Sequence, residues 1–392
     1  MPALKHVYDV DLLRALAGRI QAVWAPFPQQ RFVRVVQSGL ARRELKARVE
    51  YIATCLHDFL PADYPSSVSI LLAALPPAVP DRPGAMKLEN TDVWLVWPLC
   101  RYVALYGLED LQTSVYAFHA LTQRFSCEFA VRPFLNRYPT EMFAVLTTWV
   151  KDDSPHVRRL VSEGTRPYLP WAARLEPTAS DPRRTVPLLT TLRNDSSNYV
   201  RTSVANHLND LSRLSPALVL EIVRGWEEAG WTRAERMKPK ALRTLLRNNH
   251  PQALASLGLH PPEIILQNLR LQPTTISIGE AVHFSGALSN RATHPQYLRI
   301  DYVIHYRRAS GKSTRKVFRL RTVTLGTTSL LLSKTHTFAD TTTRKHYPGE
   351  HRISLQINGV EFPIGVVKLR SPAIPVVQDD YATDHTRYSR LN

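Results

Sequence analysis

A predicted helix over residues 154–164 combines an apolar side with charged side chains that could act on a ligand. His156, Arg159 and Glu163 share one face, because steps of three and four residues stay on the same side of a helix. The valines and the leucine of the segment form the opposite face.

The predicted helix over residues 198–212 is divided in the same way. Its core side is aliphatic, and Ser203, Asn206 and Asp210 lie together on another side. Short polar side chains allow a helix to approach a phosphate backbone closely. Asp210 stands near the C-terminal end, where a negative charge is mildly unfavourable, and this mismatch is a weak indication of function. The alternative is a solvated acid at a helix end.

Two further residues have both a structural and a chemical interpretation. Glu128 begins the segment EFAVRPF just after Ser126, and a glutamate in a first helical turn is ordinarily a cap or a partner of the helix dipole. Trp171 follows a proline in the loop sequence RPYLPW, and a loop tryptophan is more often packed than exposed.

The sequence predicts no metal site and no organic cofactor. Its three cysteines, Cys55, Cys100 and Cys127, form no C-x-x-C pair and no cluster with histidine, which argues against zinc and against a disulfide framework. The G-x-S-x-G, Walker A, H-E-x-x-H and G-x-G-x-x-G motifs do not occur in a useful context.

The charge of the chain points to a polyanionic partner. Lys and Arg number 50 against 33 Asp and Glu, so the formal net charge is +17. Such a bias is typical of proteins that bind nucleic acid, and less often of those that bind an anionic membrane surface. The apolar fraction of 44% excludes a mostly disordered chain. Because neither a signal peptide nor a membrane-spanning stretch is visible, we expect a cytoplasmic protein without membrane contact.

The pattern of the chain changes near residue 270. Before it, apolar residues recur at three- and four-residue intervals, which predicts helices. After it, apolar and polar residues alternate, which predicts the six or seven short strands of an immunoglobulin-like sandwich. We therefore predict an all-α HEAT-like solenoid over residues 1–268, an all-β immunoglobulin-like sandwich over 269–372 and a flexible tail over 373–392.

One internal repeat supports the solenoid. The segments KDDSPHVRRLVSEG and RNDSSNYVRTSVAN both place Asp-Ser before Val-Arg, and the two Val-Arg pairs are 43 residues apart, in the HEAT range. We expect Asp153 and Asp195 to cap helices, and Arg158 and Arg201 to tie one repeat to the next. A basic concave face of such a solenoid could cradle duplex DNA, although most HEAT proteins are scaffolds that bind proteins.

The predicted β domain contains a concentrated basic segment. The stretch YRRASGKSTRKVFRLR has seven basic residues and no acid. On a hairpin, Arg315, Arg319 and Arg321 lie partly on one face with Lys312 at the turn, an arrangement that suits phosphate contact. A basic edge hairpin can also serve to prevent association between sheets.

Several of these segments together resemble the AlkC-type DNA glycosylases of alkylation repair, relatives of the AlkD type. The resemblance spans roughly residues 90–370 and extends into the β domain. It rests on the strings VWPLCRYVALYGLED, LTQRFSCEFAVRPFL, VRRLVSEGTRPYLPWAARL, SSNYVRTSVANHLNDLS, KALRTLLRNNHPQAL, LRIDYVIHYRRASGKSTRKVFRL and YPGEHRISLQING.

The resemblance implies hydrolysis of the N-glycosidic bond of cationic alkylated bases, 3-methyladenine and 3-methylcytosine, as base excision repair without base flipping. A cationic base is a good leaving group, and a fixed carboxylate stabilises the oxocarbenium-like sugar and can orient the attacking water. By resemblance Glu128 is the first candidate for that carboxylate, Asp210 the second and Glu163 the third. Trp171 would pack against the damaged nucleotide. The scheme needs no cofactor.

The resemblance also implies how duplex DNA with methylated bases is held, by a monomer in the bacterial cytoplasm that associates with the nucleoid. The alternatives are a HEAT-repeat protein that binds damaged or bent DNA without catalysis, and a HEAT scaffold for a protein partner. The expected DNA contacts are Arg159, Arg166, Asn206, Lys240 and Arg243 in the helical domain and Arg307, Arg308, Lys312 and Arg315 in the β domain.

Overall fold

The computed structural model describes residues 4–80, 91–341 and 344–371, with the helices before the strands. The chain divides into two compact units between Asn248 and Asn249. The prediction of an all-α repeat domain followed by an all-β sandwich is confirmed. The predicted boundary at 268/269 stays a prediction, and the first strand begins a little earlier, at Ile264. The predicted tail, 373–392, lies outside the described residues.

The first unit is built of helices joined by short links, with 3-10 turns at Leu4–Val7 and Pro182–Thr185. Helix α9 packs against α12, and α12 packs against α14. The helices are α1 (Val10–Val23), α2 (Gln29–Leu40), α3 (Leu45–Phe59), α4 (Tyr64–Ala73), α5 (Thr91–Tyr106), α6 (Leu111–Thr122), α7 (Arg132–Arg137), α8 (Pro139–Trp149), α9 (Pro155–Gly164), α10 (Glu176–Ser180), α11 (Val186–Leu192), α12 (Asn198–Leu211), α13 (Pro216–Glu228), α14 (Ala234–Ala241) and α15 (Arg243–Arg247).

The starts of α9 and α12 have the same local structure, as the sequence repeat predicts. Asp195 accepts a hydrogen bond from the amide of Ser197, the residue before α12, at 2.8 Å. At α9 the equivalent bond runs from the amide of Ser154 to Asp152, also at 2.8 Å. The expectation that Asp153 and Asp195 cap helices is wrong, because the N-cap residues are Ser154 and Ser197. The aspartates that bind the amides of these serines, Asp152 and Asp195, stand two residues before them.

An ion pair ties the two repeats together. Arg158 donates to both carboxylate oxygens of Asp195, from Nε at 2.6 Å and from Nη2 at 3.0 Å, and this confirms the expected tie. Arg201, on α12, instead donates to the backbone carbonyls of Asp195 and Ser196 in the loop before that helix. The expectation that Arg201 ties its repeat to the next one is therefore wrong.

Helix α9 ends on a close approach to the segment before α7. A Cβ added to Gly164 would lie 2.8 Å from Cγ2 of Val131, which is shorter than real contacts of this kind. Both residues are buried. The absence of a side chain at Gly164 therefore sets how near α9 comes to the segment that carries Glu128.

The second unit contains α16 (Pro251–Ala255) and two sheets that face each other. The three-stranded sheet has the order β1-β3-β6 and the five-stranded sheet the order β2-β8-β7-β4-β5. Phe284, Leu288 and Leu332 of the first sheet pack with Ile300 and Ile353 of the second in one apolar core. The strands are β1 (Ile264–Gln272), β2 (Thr275–Ser277), β3 (Ala281–Asn290), β4 (Gln296–Arg307), β5 (Ser313–Leu325), β6 (Leu330–Thr337), β7 (Gly349–Ile357) and β8 (Val360–Arg370).

Two classes of feature do not occur in the described part of the chain. None of its helices has the length and apolar character that crossing a membrane requires. Its His, Cys, Asp and Glu side chains form no group of three or more that could hold a metal ion.

We expect Asp195→Ala to lower the free energy of unfolding of the full chain by about 3 kcal/mol, because it removes the carboxylate partner of the largely desolvated Arg158. Urea unfolding at pH 7 measures the change. The matched control is Glu221→Ala, which removes the exposed partner of Arg183 and should have little effect. Equal effects of the two variants would show that the Arg158 pair does not stabilise the repeat interface.

Candidate active site

Glu128 lies in a turn before α7 and not in a first helical turn. The amide of Val131 closes this turn by donating to the carbonyl of the fully buried Cys127 at 3.0 Å. Glu128 Oε2 accepts hydrogen bonds from Ser126 Oγ at 2.8 Å and from Arg159 Nη1 at 2.9 Å. The Glu128 carboxylate is thus fixed by side chains and does not cap a helix.

Arg159 joins Glu128 to the face of α9. Its Nη2 atom lies 3.6 Å from Oε1 of Glu163, one turn further along the helix. Its guanidinium carbon lies 4.6 Å from the centre of the Tyr199 ring. Burial opposes the charge of Arg159, but Tyr199, Glu128 and Glu163 outweigh burial and raise its pKa above the ordinary value.

Arg166 continues the same series of contacts towards α12. Its Nη1 donates to Glu163 Oε1 at 2.6 Å, and its Nε donates to Asp210 Oδ2 at 2.8 Å. Ser203 donates to the other oxygen of Glu163 at 2.6 Å. Arg166, Glu163 and Asp210 are all buried. The three carboxylates named as catalytic candidates are therefore brought together, with an arginine between each neighbouring pair.

These five side chains form what we call the acid–arginine row: Glu128, Arg159, Glu163, Arg166 and Asp210. Its members differ in how fully they are bound. Both carboxylate oxygens of Glu163 accept hydrogen bonds. Among the described residues, the hydrogen bonds to Glu128 use Oε2 and those to Asp210 use Oδ2. Each acid at the end of the row is thus held through one carboxylate oxygen, whereas the central acid is held through both.

The two buried acids of the row differ in how far neighbouring arginines offset the effect of burial on the pKa. For Asp210, burial raises the pKa above its ordinary value, although Arg166 acts in the opposite direction. For Glu163, burial also favours the neutral form, but Arg159 and Arg166 together lower the pKa. The charge of Glu163 is therefore stabilised by its neighbours, and the charge of Asp210 is maintained at a cost.

Two buried bases pack beside the row. Arg132 donates to the carbonyls of Gly164 and Arg166 at 3.2 and 2.8 Å, and burial, followed by the charge of Arg166, lowers its pKa to about 10. His207 is fully buried and donates from Nδ1 to the carbonyl of Ser162 at 2.9 Å. Burial lowers the pKa of His207 to about 3, so its imidazole is neutral at physiological pH.

Trp171 lies on the loop between α9 and α10, at the edge of a cleft of about 460 Å³. The side chain is 68% exposed, contrary to the usual packed state of a loop tryptophan. Its backbone is left-handed, with φ of 67°. Phe129 and Trp97 also line the cleft, together with Lys46. The cleft thus presents aromatic faces beside the turn that carries Glu128.

The other DNA-contact candidates of the helical unit, Asn206, Lys240 and Arg243, lie on or against α12. Arg243 Nη1 donates to Asn206 Oδ1 at 2.8 Å, and Lys240 Nζ donates to Thr202 Oγ1 at 3.4 Å. All are half-buried. Arg159 and Arg166, by contrast, direct their guanidinium groups at carboxylates, so the phosphate role foreseen for them stays a prediction.

In the β unit the predicted contacts divide into two groups. Arg307 and Arg308 are exposed and line a cavity of about 620 Å³, and Lys312 is exposed at the hairpin turn. Arg315 is instead bound to Glu361, with its Nε 2.8 Å from Oε1. The sequence prediction did not include three other cations that line the cavity: Lys316, Arg344 and Lys345.

Sequence reasoning missed several residues that hold the row. Ser126 stands two residues before Glu128, and Ser203 was placed on the polar face of α12 without a partner. No sequence pattern indicated a role for Tyr199 or Arg132, because each contacts residues of a different repeat. Lys46 lies in a part of the chain from which no candidate was drawn.

The chain is similar to proteins of two bacteria. A family profile described as "Uncharacterised protein YhaZ, C-terminal Ig-like domain" matches residues 265–371. The "Uncharacterized protein YhaZ" of Bacillus subtilis (strain 168) is 34% identical over 366 residues, which cover 92% of this chain and 97% of YhaZ. The solved structure of "Pseudomonas fluorescens alkylpurine DNA glycosylase AlkC bound to DNA containing an abasic site analog" has 35% identity and a TM-score of 0.85, over 94% of this chain and 100% of AlkC.

The two buried acids should respond oppositely to removal of their charge. Because the folded state raises the pKa of Asp210, this group stabilises the protein only below its ordinary pKa, and the contribution is lost as pH rises through the folded value. Asp210→Asn should therefore raise the free energy of unfolding at pH 7. The lowered pKa of Glu163 stabilises the protein above its ordinary pKa, so Glu163→Gln should lower the free energy of unfolding by about 2 kcal/mol.

Urea unfolding at pH 7 tests both variants, with Glu109→Gln on an exposed ion pair as the control. A loss of stability in Asp210→Asn as large as that in Glu163→Gln would contradict the distinction between the two acids.

Proposed function

This chain belongs to the family of AlkC-type DNA glycosylases, and we propose that it hydrolyses the N-glycosidic bond of cationic alkylated bases in duplex DNA. The preferred lesions are 3-methyladenine and 3-methylcytosine, removed in base excision repair without flipping the base into a pocket. The observation that carries the proposal is the acid–arginine row, which brings the carboxylates of Glu128, Glu163 and Asp210 together and holds each with an arginine.

The reaction uses the charge that the lesion already carries. As the bond between C1′ and the base nitrogen breaks, its electron pair neutralises the cationic base, and positive charge develops on the sugar. Glu128 stabilises that charge and accepts a proton from the water that attacks C1′; the proton then passes to solvent. Asp210 adds a second negative charge, and Glu163 holds the two arginines that fix both acids.

Trp171 supports the same step from the edge of the cleft. Its face is exposed, so it can pack against the sugar or the cationic base, which an aromatic ring attracts. Placement of a base against an exposed ring requires no deep pocket, in keeping with excision without base flipping.

Polar and basic side chains of each unit contact the phosphate backbone of the DNA. Lys240, Arg243 and Asn206 lie on or against α12, and Arg307 and Arg308 line the cavity of the β unit. Binding would bend the duplex and open the lesion step to the carboxylates. The enzyme would act as a monomer on the bacterial nucleoid in the cytoplasm.

Base release is the direct test. The wild type should release 3-methyladenine from methylated duplex DNA and 3-methylcytosine from a defined duplex. Glu128→Gln and Asp210→Asn should each slow single-turnover release by about 100-fold, because each removes a charge aimed at the transition state. Chromatography of the released base measures the rate, and Glu109→Gln is the control.

Three outcomes are informative. Unaltered release in both variants would keep a glycosylase but exclude this site. Salt-sensitive DNA binding without release by the wild type would identify a protein that binds damaged DNA without catalysis. Weak DNA binding that does not depend on salt would favour a HEAT scaffold that binds a protein partner.

The phosphate contacts make a separate prediction. Arg308→Gln should reduce the slope of log affinity against log salt by about 0.9, the value for one phosphate contact. Arg315→Gln should change the slope less, because Glu361 already compensates its charge. Fluorescence anisotropy with labelled duplex measures the slopes, and Arg14→Gln removes the same charge from exposed α1 as a control. A larger change with Arg315→Gln than with Arg308→Gln would overturn this assignment.

A further inference from the structure

Lys46 is a cation in a place that helix stability does not explain. It is the second residue of α3, and a positive charge in the first turn of a helix interacts unfavourably with the helix dipole. Its side chain extends away from that helix to a loop 125 residues further along the chain, where it donates to the carbonyl of Trp171.

The ammonium group of Lys46 lies near two aromatic rings. Its Nζ atom is 5.8 Å from the centre of the Trp171 ring and 5.6 Å from the centre of the Phe129 ring. Both distances are within the range in which an aromatic face attracts a cation. Phe129 directly follows Glu128, so Lys46 links the turn of the carboxylate with the loop of the tryptophan.

The position of Trp171 requires a restraint from another residue. The side chain is 68% exposed, and its left-handed backbone is unfavourable for a residue other than glycine. An exposed ring on a strained loop has several rotamers available, and contact with a substrate would otherwise have to select one of them. A donor on the carbonyl of Trp171 and a cation beside its ring restrain both the backbone and the side chain.

We propose that Lys46 is a positioning residue that holds Trp171 in register with Phe129 and Glu128 before DNA binds. The inference rests on the proposed function for its effect on base release, but the restraint itself is a property of the DNA-free protein. Lys46 acts through Trp171 and does not itself contact the reacting atoms.

The restraint can be measured without DNA. The fluorescence of Trp171 is obtained as the difference between each protein and the same protein with Trp171→Phe, which removes the signal of the other tryptophans. Acrylamide should quench this component more strongly in Lys46→Met than in the wild type, and Lys46→Arg should restore the wild-type value. Identical quenching in Lys46→Met and the wild type would overturn the proposal, whether or not the protein is a glycosylase.

A double-mutant cycle distinguishes positioning from a simple phosphate contact. Lys46→Met should lower kcat of base release about fivefold with little change in KM, and it should cause no further loss in a Trp171→Ala background. An equal loss in both backgrounds, with a smaller salt slope of DNA binding, would make Lys46 a phosphate contact and overturn the proposal. No release by the wild type would refute the proposed function, and the quenching result would still decide the restraint.

Discussion

The structure of the helical unit depends on charge compensation within the acid–arginine row. Three carboxylates alternate with two guanidinium groups, and the central contacts, at 2.6 and 2.8 Å, lie in the protein interior. Removing the charge of the central acid, Glu163, leaves Arg159 and Arg166 with less compensation in the interior, which is more costly than losing a surface pair. The acids of the row outnumber its arginines by one, and Arg132, which packs beside the row and interacts with Glu128 and Asp210, supplies a further positive charge. The same charges that hold the row together therefore set the electrostatic environment of Glu128 and Asp210.

The row can form only because the repeats fix three separate segments against each other. Glu128 comes from a turn, Glu163 and Arg159 from α9, and Asp210 from α12. The ion pair between Arg158 and Asp195 sets α9 against α12, and the close approach at Gly164 sets α9 against the turn. None of these contacts touches the proposed substrate. They nevertheless determine whether Glu128 and Asp210 can act on one nucleotide, since small displacements of charged groups change their interaction strongly.

Much of the fold and part of the site could be predicted from the sequence. Helical periodicity correctly placed Arg159 with Glu163, because a face follows from spacing alone. Spacing does not specify the partner across a repeat: Arg166 was assigned to phosphate, and the structure pairs it with Glu163 and Asp210. The exposure of Trp171 depends on its left-handed backbone conformation, which no local sequence motif indicated. Lys46 was not predicted, because its proposed role depends on a contact between segments that are far apart in the sequence.

The size of residue 164 controls the distance between α9 and the turn that carries Glu128. At their contact, Gly164 presents no side chain to the segment before α7, and Val131 presents its Cγ2 methyl group. A larger residue at 164 would widen the gap, and a smaller one at Val131 would make room for it, with no change in any charged group. Protein engineers could use this pair to vary the reach of Arg159 to Glu128 in sub-ångström steps, and so separate the contribution of distance from that of charge.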